Sequence, residues 1–393
     1  MGAAERHEAS LLLASRPGLY LLLRAARVRR LGGRGRRLRG LGWVVADPVT
    51  ARRVLNDPAH FSLLGEGGVG DLWAQVLGDW VTRLFDGPGH ADLRARTRDL
   101  FTERHAGEHV TRVLGAPLAR MTATLERGGT VDLADRARVL VGRMVADLLG
   151  LDLPAGPDDP YRQVFASGER LASLAIGSTA STTMPAGVVA EAKVIVAGLT
   201  GNVAVASRTA PAHTLLGRCR ELGLAEREIE GLAGLLLVAG TETAATAMAR
   251  TAALLHDTGQ QAAVLADPAL IPDAVREGLR VTTPAPVIGR HVTADVEVGG
   301  RTLRAGERVL VLVHPASNAV GPFDVTRPYV PETRQLWFGA GRHLCLGAPV
   351  ARAEVGQFLG ALTATGRPWR VTGRRPARRV LIPSYASLRV ALA

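Results

Sequence analysis

Phe338-Gly-Ala-Gly-Arg-His-Leu-Cys-Leu-Gly347 is the stretch of this 393-residue chain that decides its fold. Glycines at 339, 341 and 347 let the backbone turn tightly and come close to a flat ligand. Cys345 lies just before a segment that reads as a helix from near Ala348, where free N–H groups and the helix dipole favour a thiolate. A dinucleotide-binding loop would need a preceding strand and a different glycine spacing. A zinc site would need more ligands than His343 and two cysteines readily supply. A structural cysteine accounts for Cys345 but not for the glycines around it.

A thiolate bound to a haem iron accounts for the whole stretch. A second signal sits upstream, where Glu226–Asp257 reads as one helix about 45–50 Å long. Its apolar run Leu232–Ala239 is interrupted by Gly240-Thr-Glu-Thr243, whose glycine and two β-branched threonines are poor helix formers. Such a spot is expected to open the helix locally and leave room for a small ligand. An acid followed by an alcohol also suits relayed proton delivery. Glu277 and Arg280, three apart on a further helix, read as an ion pair worth a few tenths of a kcal/mol when exposed. His90 and Arg94, four apart on a helix opened by Asp86-Gly-Pro-Gly, present two donors on one face.

Together these residues resemble the cytochrome P-450 family, whose pattern Phe-Gly-x-Gly-x-His-x-Cys-x-Gly is met at every fixed position. The resemblance covers roughly residues 15–393. It implies a mainly α fold: a single large helical domain over residues 1–393, with a small β-rich portion and haem b between the long helix and the cysteine loop. Carried over position by position, Cys345 becomes the axial iron ligand, and His90, Arg94, Arg290 and His343 become partners of the haem propionates. Gly240 makes room for O2, Thr243 offers a hydrogen bond there, and Glu242 brings protons. The Glu277–Arg280 pair would support the core on the haem side. The family is expected to complete that network with an Arg just before a Phe, but here Pro322 precedes Phe323, and the stretch 314–336 looks short.

The activity implied is a monooxygenase drawing electrons from an external ferredoxin and its NAD(P)H-dependent reductase, since no flavin or iron–sulfur motif is present. The segments expected to line a pocket are 62–84, 165–200, 235–239, 285–288 and 384–386, dominated by small, apolar and hydroxylic residues. Candidate pocket residues are Trp73, Trp80, Leu235, Ala239, Val287 and Tyr385, and the expected substrate is a fairly large apolar compound of secondary metabolism. Other readings on the same fold are oxidative coupling, rearrangement, peroxide-driven oxidation, or binding without catalysis.

Composition narrows the rest. Apolar residues make up 47% and charged residues 21%, enough to bury a large core. Two cysteines exclude a disulfide scaffold and point to a reducing, cytoplasmic setting. No uninterrupted run of 18 apolar residues occurs, so no transmembrane segment is expected. The net charge of +12 comes almost entirely from arginine, Lys193 being the one lysine, and residues 1–43 alone carry ten Arg against Glu5 and Glu8. Without a nucleic-acid motif and with only 4% aromatics, that excess reads as a solvated basic face. Residues 1–14 are candidates for disorder; helices are expected at 19–30, 48–55, 88–105, 108–126, 134–151 and 273–280. Arg37–Gly40 with Trp43–Ala46, and Val292–Val298 with Thr302–Leu303, read as hairpins, and Val309–Val313 as a buried strand.

Overall fold

The computed structural model describes residues 2–27, 35–66, 68–87, 89–154, 156–174, 183–201 and 203–393. The long helix runs unbroken as Glu226–Asp257, and the rest of the helical layer is built on it. Its C-terminal half is Ala-rich and buried nearly all round, from Ala244 to Leu255. Small side chains there let Leu133–Leu148, Asp159–Leu174, Ile271–Thr282 and Ala348–Thr363 pack directly against it. The helix does not open at Gly240. The Thr243 hydroxyl donates back to the Ala239 carbonyl at 3.0 Å, a bond made here without breaking the helix.

The β portion is small. Arg36–Leu38 and Gly42–Val45 form the expected hairpin, and Gly42–Val45 runs parallel to Arg308–Val311. Ile288–Val292 pairs antiparallel with Arg308–Val311 and carries Phe61–Ser62 on its other edge. Val296–Val298 and Arg301–Leu303 close a hairpin over Gly299 and Gly300, both at positive φ. A C-terminal hairpin, Trp369–Pro376 with Tyr385–Leu392, extends across Val131–Asp132. Its strands were not anticipated, because several arginines interrupt the alternation in Trp369–Pro376.

Two other departures have clear causes. Ala3–Ser15, expected to be disordered, is a helix with Leu11 buried in the main core. Glu8 anchors it through a two-pronged ion pair to Arg250 of the long helix, whose third donor reaches the Pro383 carbonyl at 3.1 Å. The Gly-rich stretch 62–84, expected to line a pocket, contains the helix Gly70–Leu77 and the start of Trp80–Asp86. The helix expected at 19–30 is Pro17–Arg27; residues 28–34 lie outside the described set.

By length and composition alone, two helical stretches could cross a membrane, Ala186–Thr209 and Glu226–Asp257. The second spends its apolar surface on packing, with 67% of its most apolar window buried. The first is two helices, Ala186–Thr200 and Val203–Thr209, with Val194 and Val205 exposed.

Candidate active site

The cysteine loop is shaped by backbone contacts. Gly339 and Gly341 sit at φ +79° and +67°, the left-handed region where a side chain is strained. A Cβ on Gly341 would also lie 2.6 Å from the Leu55 carbonyl, so the loop rests directly on the end of the helix Pro48–Asn56. The Cys345 amide closes the loop onto the Phe338 carbonyl at 2.9 Å. Cys345 is solvent-accessible, although the surrounding protein is dense enough to disfavour its charged form. Burial pushes its thiol pKa up, while the Gly347 and Ala348 amides and the charges of Arg94 and Arg352 pull it down. A metal ion that displaces the proton would find those donors already aimed at the sulfur.

Around the loop the fold gathers the cationic side chains. His90, on Gly89–Thr97, bonds the Arg342 carbonyl at 2.9 Å, and its ring lies 4.7 Å from that of His343. Arg94, one turn on, donates to the Leu344 carbonyl at 2.7 Å. His343 contacts Asp86 at 3.1 Å. Arg290, on Ile288–Val292, is 3% exposed, and its guanidinium donates to the neighbouring Gly289 carbonyl at 2.9 Å. Burial lowers its pKa to about 10, against the attraction of Asp86. Asp86 itself is held at about 2: burial works to raise it, and bonds from His343, Ser62 and the Leu63 amide outweigh that. Sequence reasoning used Asp86 only to open a helix; its role as counter-charge to the cluster was missed.

On the long helix, Ala239 is exposed and Gly240 and Thr243 are half-buried, in the middle of an element whose flanks are packed. Glu242 is 6% exposed, and neither carboxyl oxygen has a hydrogen-bond partner. Burial raises its pKa to about 8, with the charge of Glu169 adding to the effect. The Ile382 amide opposes the shift from outside good hydrogen-bond geometry, and Arg138 opposes it by charge. A carboxyl group in this state holds a proton at neutral pH and can release it. A ringed but accessible thiol, an exposed strip of helix and a group of cationic side chains fit a haem, which needs a sulfur ligand, an open face and partners for two carboxylates.

Glu277 and Arg280 form a closed network. They meet at 2.6 Å with side chains 1% and 2% exposed. Arg280 also donates to the carbonyls of Ser317, Gly321 and Pro322. The Arg expected just before Phe323 is replaced by Arg327, four residues after it, whose Nε reaches Glu277 at 3.3 Å. Arg327 then ties the carbonyls of Val320 and Pro322 at 2.8 Å each, so the short stretch is held from within.

The candidate pocket residues scatter. Leu235 and Ala239 lie one turn apart on the long helix, and Trp73 is half-buried against the main core. Trp80 is packed away: its indole donates to the Leu77 carbonyl at 2.7 Å and presses on Gly231, where a Cβ would lie 2.2 Å from the ring. Val287 packs in a cluster with Leu12, Leu23 and Val44. Tyr385 is 3% exposed and lines a small internal cavity together with Phe165, Glu169 and Glu242. Part of the segment 165–200, residues 175–182, lies outside the described set. No group of three His, Cys, Asp or Glu among the described residues could hold a metal ion. Cys219 is buried, with its thiol pushed up to about 12, and is chemically quiet.

The family pattern of cytochrome P450 matches residues 253–363. A Bacillus subtilis protein described as cytochrome P450 YjiB is 33% identical over 185 residues, which is 45% of this chain and 46% of that protein. The chain thus spans about half the length of that curated relative. Cytochrome P450-SU2 of Streptomyces griseolus is 32% identical over 335 residues, 80% of this chain and 77% of that protein. In three dimensions, the cytochrome P450 enzyme CYP109B1 from Bacillus subtilis matches with a TM-score of 0.76 at 22% identity, covering 96% of this chain and 100% of that one.

Proposed function

Because this chain belongs to the cytochrome P450 family, we propose that it is a haem-thiolate monooxygenase acting on an apolar organic substrate, with Cys345 as the sulfur ligand. The observation that carries this reading is the accessible Cys345 thiol, ringed by protein and facing the donors of Gly347 and Ala348. His90, Arg94, Arg290 and His343 would hold the two haem carboxylates, exchanging the carbonyl and Asp86 contacts they now make. When bound, the haem supplies activation of O2 for insertion of one oxygen atom into a C–H bond or an alkene.

The chain's own residues do the rest. The backbone around Cys345, closed by its amide on the Phe338 carbonyl, would fix the direction of the sulfur. Gly240 keeps the middle of the long helix free of a side chain, and Thr243 places a hydroxyl on the same exposed strip. Glu242, neutral near pH 7 and without a partner, is the proton donor that Thr243 would pass inward. Leu235, Ala239 and Trp73 supply apolar surface for a substrate of the natural-product type. Electrons would come from a ferredoxin in the cytoplasm; Arg96 and Arg98 are exposed on the segment that also carries His90 and Arg94, where an acidic partner could dock.

The test is the absorption spectrum of the dithionite-reduced, CO-treated protein. Wild type should show the red-shifted Soret band of a thiolate ligand, and Cys345→Ala should lose it while remaining folded. A wild-type spectrum of the nitrogen-ligand type would overturn the assignment.

A further inference from the structure

Gly168, on the helix Asp159–Leu174, lies against Thr241 of the long helix so closely that a Cβ there would be 2.7 Å from the Thr241 hydroxyl. Only glycine permits that approach without a shift. One residue on from each contact point, Glu169 and Glu242 line the same small cavity of about 20 Å³, which is room for one water molecule. Phe165, Arg138, Thr246 and Ser384 are among the other walls. Glu242 lies inside with both oxygens unpartnered, and Glu169 is half-buried at the outer side of the same helix pair.

We propose that Glu169 is an outer proton station that supplies Glu242 across this shared cavity. The inference rests on the reading of Glu242 as proton donor and adds the residue that reloads it. A proton from solvent binds a Glu169 carboxylate oxygen. Its O–H bond then breaks as the cavity water takes the proton and gives one of its own to Glu242, which in turn passes a proton toward the Thr243 hydroxyl. Each carboxyl ends as it began and no electrons move. Two neighbouring carboxylates resist being ionised together, so a proton lost from Glu242 is readily replaced from its acidic neighbour.

The other charged or titratable groups around the cavity do not take over this part. Arg138, on Leu133–Leu148, spends its guanidinium on the Tyr385 and Ala386 carbonyls at 2.7 and 3.3 Å and lies 5.9 Å from the Phe165 ring centre. Tyr385 bonds Arg374, and Arg250 is paired with Glu8. Glu169 is the carboxyl group that shares the cavity with Glu242 and is itself half-buried rather than sealed in.

The experiment compares wild type with Glu169→Gln, Glu169→Asp and Glu242→Gln as haem-loaded proteins. Infrared difference spectra across a pH titration follow the Glu242 carboxyl band, assigned by its absence in Glu242→Gln. Oxygen consumption with a bacterial ferredoxin, its reductase and NADPH is measured in H2O and D2O. Glu169→Gln should move the Glu242 titration to lower pH and slow oxygen consumption on the order of tenfold, less than the hundredfold or more expected of a direct proton donor. It should also enlarge the solvent isotope effect, and Glu169→Asp should restore most of the rate. An unchanged Glu242 titration and rate in Glu169→Gln, beside a large loss in Glu242→Gln, would overturn this inference alone. A silent Glu242→Gln would overturn the assignment of Glu242 on which it stands.

Discussion

Glu242 and Glu277 are the same side chain at nearly the same depth, 6% and 1% exposed, yet the fold treats them oppositely. Glu277 meets Arg280 and Arg327 and accepts the Asp324 amide at 3.1 Å, so its charge is neutralised on the spot. Glu242 has no well-formed hydrogen bond on either oxygen and a second acid for a neighbour, and its pKa rises to about 8. Burial alone therefore does not set the role of an acid in this chain; the partners do. A saturated carboxylate holds structure, and an unsaturated one stores a proton.

The comparison breaks most visibly at the saturated site. Glu277→Ala leaves Arg280 buried without its counter-charge and should destabilise the protein by about 3–5 kcal/mol. Urea denaturation read by circular dichroism checks this, and a midpoint close to wild type would contradict the idea of a closed network. The opposite result is expected at Glu242. Glu242→Gln should lower oxygen consumption on the order of a hundredfold or more, with stability at neutral pH retained or raised.

The sign of the pH effect sharpens that contrast. Between the ordinary 4.5 and about 8, the native protein keeps a proton on Glu242 that the unfolded chain has released. Stability must therefore fall as pH rises through that window. Glu354, buried on Ala348–Thr363 and also raised to about 8 by burial, contributes a slope of the same sign. Urea midpoints measured across the window should fall less steeply in Glu242→Gln than in wild type. The smallest effect is expected at Arg327, where Arg327→Ala removes one of two charges on Glu277 and two backbone ties. A loss of about 1–3 kcal/mol, with the CO spectrum unchanged, would place Arg327 in the frame rather than in the chemistry.

The parts of the site legible in the sequence are those whose geometry is local. The glycine spacing around Cys345 is a property of ten consecutive residues, and His90 with Arg94, or Glu277 with Arg280, is a property of one helical turn. The long helix was legible to the residue, because its apolar stretch is bounded by acidic residues and a terminal Asp-Thr-Gly. The expectation that Gly240 opens the helix failed because a propensity difference of about 1 kcal/mol is outweighed by the packing of the buried residues on either side, Gly231–Gly234 and Ala244–Leu255. Trp80 turned inward for a related reason: an aromatic residue in a pocket segment packs into the helix layer when a glycine, here Gly231, leaves room for its ring.

The sequence by itself determined the ligand loop, the acid–alcohol pair on the long helix, the mainly helical class and the resemblance that ties them together. Tertiary structure decided which charges meet. Arg327 completes the Glu277 network across 50 residues, Asp86 finds His343 across 257, and Glu8 finds Arg250 across 242. Glu169 reaches the Glu242 cavity because Gly168 lets two helices touch. Backbone dihedrals and helical periodicity fix distances only over a few residues, whereas the partner of a buried charge is set by how distant elements pack, and no local spacing encodes that.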